Sequence, residues 1–172
     1  MKKINIVIAF IVISALGILF HFMYDWIGLP FLKALFPSNE SIFEHLKLII
    51  FPSLIYMGIE KIIFKDESIF SSYVSGIIVS AITMIASYYT YSGIVGADIP
   101  VVNIIIFFVC VSIVLFYRYK KISIFDNINS VIAFVILLCI IEIFSFYPPD
   151  INLFKETFLD WDINIISTLK LN

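Results

Sequence analysis

Residues 39–47 read Asn-Glu-Ser-Ile-Phe-Glu-His-Leu-Lys, which gathers two carboxylates, an imidazole and an ammonium into one short stretch. Glu40 and Glu44 are spaced i,i+4 and Glu44 and Lys47 i,i+3, so on a helix the members of each pair share a face. His45 lies about 100° round the helix from Glu44, which presents carboxylate and imidazole on adjoining faces. His21 and Asp25 repeat the i,i+4 spacing earlier in the chain, and His21 and His45 are its two histidines. Three kinds of chemistry use such residues. Glu44 or His45 can serve as a general base, which makes them the catalytic candidates. His21, His45 and Glu44 can hold Zn²⁺ or another divalent metal with a position left for water. The usual His-Glu-x-x-His spacing is absent, so those ligands must come from different helices. A wider set, His21, Asp25, Asn39, Glu40, Glu44, His45, Lys47 and Glu142, can line a pocket for an ion or small ligand.

Part of this cluster has a local explanation. Ser41-Ile-Phe-Glu44 matches a capping box, in which Ser41 accepts from the backbone N–H of Glu44 and the glutamate reaches back. Acid in a first turn also suits the helix dipole, and Lys47 can snorkel to pair with Glu44. Neither histidine is covered by that account. Nor is Glu142, which lies in Val-Ile-Leu-Leu-Cys-Ile-Ile-Glu-Ile-Phe more than a turn from the end of its apolar run. An ionisable group there needs a partner or a functional reason, and Lys47 is its partner by depth.

The elements that position these residues are membrane helices. The chain has 172 residues, 62% hydrophobic and 14% charged, against roughly half and a quarter in soluble domains. The excess falls in long apolar runs, each near the ~20 residues that cross a bilayer. An all-α integral membrane bundle of about five spans is expected, at about 4–24, 41–63, 69–92, 100–118 and 129–147. The whole chain, 1–172, forms one transmembrane domain. Trp26–Phe36, broken by Gly28 and Pro30, is too short to cross and reads as an interfacial or re-entrant piece. Met1-Lys2-Lys3 followed by an apolar run resembles a signal peptide, but the run is long and an A-x-A-like site is missing, so it reads as a retained span.

Lys2, Lys3, Lys61, Lys65, Arg118, Lys120 and Lys121 fall on one side, which by the positive-inside rule is cytoplasmic. The N-terminus is then inside and the C-terminus outside, in a bacterial cytoplasmic membrane. Every residue of the wider polar set lies toward the outer side. The inner half holds little besides Glu60 and loop charges. Residues 148–172 mix Phe154, Phe158, Leu159 and Trp161 with Lys155, Glu156, Asp160 and Asp162, a pattern suited to an amphipathic tail on the outer interface. Ser72, Gly76, Ser80, Thr83 and Ser87 form a small-residue stripe on the third span, a packing seam that also offers a route to a homo-oligomer. The lipid bilayer is the expected partner. No basic patch suggests nucleic acid, and Cys110 and Cys139 lack any metal or redox spacing.

His-Phe-Met-Tyr-Asp-Trp (21–26), the stretch 35–56, Tyr-Tyr-Thr-Tyr-Ser-Gly-Ile-Val-Gly (88–96) and Phe-Tyr-Pro-Pro-Asp-Ile-Asn-Leu-Phe (146–154) occur in that order. Together they resemble a family of small bacterial multi-pass membrane proteins of unknown function, common in Firmicutes. Its hallmark resembles N-E-S-x-W-E-H-x-K followed by an apolar run containing F-P. Asn39, Glu40, Ser41, Glu44, His45, Lys47, Phe51 and Pro52 match it, and Phe43 replaces the tryptophan. The resemblance covers most of residues 18–156 and implies a membrane location without supplying chemistry. Pro52, about three turns into the second span, frees a carbonyl and favours a kink. Three functions compete: an outward-facing pocket that binds an ion or small ligand, a metal-dependent or Glu-based membrane hydrolase, and a small transporter or proton-coupled carrier. The short chain, the lack of an inverted repeat and the apolar inner half argue against transport.

Overall fold

In the computed structural model, residues 3–155 are described and every regular element among them is helical. The long helices are α1 (Lys3–Ile27), α3 (Lys47–Phe64), α4 (Ser68–Val95), α5 (Pro100–Lys120) and α6 (Asn127–Phe146), with a one-turn α2 (Ile42–His45) before α3. Four of them, α1, α4, α5 and α6, are long and apolar enough to cross a membrane. The expected second span is α2 and α3 together, interrupted at Leu46. It carries the most charged residues of the five, Lys47, Glu60 and Lys61.

That helix survives by sitting in the middle. α3 packs on α1, α4 and α5, and Lys47 and Glu60 are both buried. α4 makes its most extensive contact with α5, while α6 packs on α4 at the edge. The small-residue stripe explains the α4–α5 contact. A Cβ on Gly76 would come within 2.9 Å of the Val114 Cα, and the Ser80 hydroxyl donates to the Cys110 carbonyl at 2.8 Å. Ser72, Gly76 and Ser80 are all buried within the chain. Within the chain, α5 meets the stripe at Gly76 and Ser80, while Ser72 donates to the Ser68 and Ile69 carbonyls of its own helix. Thr83 donates to the Val79 carbonyl of its own helix.

α1 approaches α3 equally closely. A Cβ on Gly17 would lie 2.9 Å from the Leu48 carbonyl oxygen and 2.6 Å from the Phe107 ring. Leu48 is the residue whose carbonyl Pro52 cannot serve, since proline has no N–H to donate. Beyond α1, Gly28 turns with φ +69° and Pro30–Ala34 form a 3-10 turn. The chain then folds back until Phe36 meets Phe20, with ring centroids 4.7 Å apart. Trp26–Phe36, read from the sequence as an interfacial or re-entrant piece, thus contains a folded-back turn rather than a long helix.

The expected C-terminal segment begins with a 3-10 turn at Asn152–Phe154. Phe154 stacks against Phe43 at 4.4 Å and Phe144 at 5.3 Å. Phe43 thus keeps the aromatic anchor where the resembled motif has tryptophan. Residues 156–172, with most of the proposed interfacial tail, lie outside the described residues.

Candidate functional site

Ser41 caps α2, accepting from the Glu44 N–H at 3.3 Å. The capping box closes on that side only. The Ser41 N–H donates instead to Asn39 Oδ1 at 2.9 Å, a side-chain turn that fixes the path of residues 39–41. Glu44 is drawn elsewhere. Its Oε2 accepts from the Ser38 N–H at 2.8 Å and from Lys47 Nζ at 2.8 Å, and Oε1 accepts from Lys47 at 2.9 Å. Lys47 also donates to the Lys33 carbonyl. Glu44 and Lys47 are therefore a buried ion pair that ties the folded-back turn to the start of α3.

Two expectations change with that pairing. Glu44 is turned away from the histidines, so it neither completes a metal set with them nor stands free as a general base. Glu142 is half-buried and makes no ion pair among the described residues; Lys47 is held by Glu44 instead. Asp25 stays exposed on α1.

His45 leaves the helix on the adjoining face and meets His21. Their ring centroids are 5.3 Å apart. Glu40 lies between them, with Oε2 3.4 Å from His45 Nε2 and Oε1 3.9 Å from His21 Nε2. One donor atom from each of the three residues fits within a 4.8 Å cluster. His45 Nδ1 is 2.8 Å from the Ser41 carbonyl, and a carbonyl can only accept, so that nitrogen carries a proton. Nε2 of a neutral His45 then points a lone pair at a carboxylate, an arrangement that calls for a cation between them: a second ring proton or a metal. Hydrogen bonding with His45 holds the Glu40 carboxyl below its ordinary range, against the opposing effect of partial burial. His21 Nδ1 is buried without a hydrogen-bond partner.

These three side chains line a cavity of about 570 Å³ shared by α1, α2, α3, α4 and α5. Its walls are largely apolar: Ile18, Leu48, Met84 and Phe107 among them. Its polar end adds Asp98 and Asn103, whose positions are set by each other and by Tyr91. Asn103 Nδ2 donates to Asp98 Oδ1 at 2.7 Å, and the Tyr91 hydroxyl sits 2.9 Å from the same oxygen while accepting from the Ile99 N–H. Asp98 and Asn103 lie outside the polar set read from the sequence, since their nearness to His45 depends on how the α4–α5 loop closes.

The far end of the bundle carries a second polar group. Arg118 Nε donates to Glu60 Oε2 at 2.7 Å, with both side chains buried. Asp66 lies 2.9 Å from Lys121 and 3.5 Å from Arg118 Nη2. Arg118, counted from the sequence among the charges on one side of the membrane, is buried within the bundle.

No curated protein and no solved structure matches this chain. A family model matches residues 1–160. With nearly the whole length covered, including all five long helices and the His21–Glu40–His45 group, the chain belongs to the family of unknown function DUF6512.

Proposed function

We propose that this protein is a multi-pass protein of the bacterial cytoplasmic membrane whose cavity opens outward and binds a small amphipathic ligand. One observation carries the reading. The two histidines of the chain, on separate helices, converge on Glu40 at the polar end of a cavity whose remaining walls are apolar. Ligand pockets combine an apolar lining with a few convergent polar groups in this way. His21, Glu40, His45, Asp98 and Asn103 would hold a polar head, and Leu48, Met84 and Phe107 an apolar body. The outward orientation is supported by Lys61, Lys65, Arg118, Lys120 and Lys121, which gather at the opposite end.

Hydrolysis with Glu44 as base loses support from the Glu44–Lys47 pair. Transport loses support from the buried Glu60–Arg118 pair, which occupies the end of the bundle opposite the cavity. The test uses 11-(dansylamino)undecanoate, a fluorescent amphiphile, and protein in detergent micelles. Saturable binding at one site is expected, and Ile104→Trp should abolish it by filling the cavity from a position that is exposed, so that the fold survives. Binding unchanged in folded Ile104→Trp protein, or no binding by the wild type, would refute the pocket.

A further inference from the structure

We infer that His21, Glu40 and His45 bind a divalent transition-metal ion, Zn²⁺ being the best match, at the polar end of the cavity. The inference rests on the pocket reading above and names the ion that would stand at its mouth. It replaces the set His21, His45 and Glu44 expected from sequence spacing.

Four observations support it. The donors are two imidazoles and a carboxylate, the ligand chemistry of three-protein-ligand zinc sites that keep an open position. Bonds of 2.0–2.2 Å in a tetrahedron place neighbouring donors about 3.3–3.5 Å apart; the Glu40–His45 contact is 3.4 Å and the Glu40–His21 contact 3.9 Å. Those two contacts use different Glu40 oxygens, and with one donor atom per residue the three lie within 4.8 Å of one another, so closing on one ion draws them together by about 1 Å. The Ser41 carbonyl holds His45 in the tautomer that leaves Nε2 for a metal, the outer-shell arrangement usual for ligating histidines. Finally, Glu40 is 61% exposed while both rings are mostly covered, which gives an ion a hydrated approach and a drier seat.

All three donors line the cavity, so the coordination position they leave open lies toward it. A ligand headgroup with an oxygen or nitrogen donor would complete the shell there.

The deciding experiment titrates Zn²⁺ into metal-stripped protein in detergent and measures stoichiometry calorimetrically, with Co²⁺ visible absorption reporting coordination. One ion per chain is expected. Glu40→Gln, at an exposed position that should not disturb folding, is expected to weaken binding at least 10-fold. His45→Ala should do the same, and Glu67→Gln, exposed at the opposite end of the bundle, should leave it unchanged. A folded wild type that takes up no Zn²⁺ yet binds the dansyl amphiphile would overturn the metal site and leave the pocket standing. Failure of both would overturn both. Zn²⁺ bound equally well by Glu40→Gln and His45→Ala would place the ion elsewhere and overturn the assignment.

Discussion

Glu44 and Lys47 show how much a single pairing decides. Both are buried and each satisfies the other, with Ser38 and the Lys33 carbonyl completing the shell. Removing one partner of a buried pair leaves an uncompensated charge, which costs about 3–5 kcal/mol, whereas replacing both is often near neutral. Lys47→Met should therefore lower stability by that order, and Glu44→Gln/Lys47→Met should recover much of it; thermal melts in detergent measure both. The sequence already held the i,i+3 spacing and the cap. It could not show that Glu44 belongs to the knot and Glu40 to the histidines. That choice depends on where the turn at 30–34 folds back, which places the Ser38 N–H and the Lys33 carbonyl around Glu44.

At the scale of elements, glycines set the helix spacing. Gly17 brings α1 against the Leu48 carbonyl and the Phe107 ring, both at the cavity. A valine there would meet a backbone oxygen that cannot rotate away, and overpacking of this kind costs about 1–3 kcal/mol. Gly17→Val should melt earlier and bind the dansyl amphiphile more weakly, while Gly58→Ala, with open space around it, should change neither by packing. The loop between α3 and α4 offers a pH test. Contact with Lys121, with hydrogen bonds from Ser68, holds Asp66 well below the ordinary carboxylate range. A depressed folded-state value stabilises the fold above the unfolded pKa near 3.9 and loses that contribution as pH falls below it. Acid titration from pH 5 to 2 should thus destabilise the wild type more steeply than Asp66→Asn. Helix existence was legible from apolar runs, and the limits of the five long helices lie within a few residues of those runs. The neighbours of each helix were not, because Arg118 and Glu60 are far apart in sequence and nothing local announces their contact.

For the whole molecule, the two ends differ in kind. One end holds the cavity with the histidines; the other holds ion pairs gathered around Arg118. If the cavity faces outward, alkaline phosphatase fused after residue 148 should be active in cells and a fusion at residue 66 should be inactive. The reverse pattern would turn the cavity to the cytoplasm. Charge sorting along the sequence carries that expectation, and the fold adds that the apolar wall of the cavity is assembled from several helices rather than from one amphipathic face.

The Glu60–Arg118 pair also constrains how the protein is made. Glu44 and Lys47 neutralise each other one turn apart, so α3 can enter the bilayer with that pair already formed. Glu60 has to wait for a residue 58 positions later, on a helix synthesised after α4. During translation α3, the most heavily charged of the long helices, holds an unmatched carboxylate until α5 arrives. Its insertion is therefore completed by a downstream segment, and a chain truncated before Arg118 should leave α3 incompletely integrated even though every residue of α3 is present.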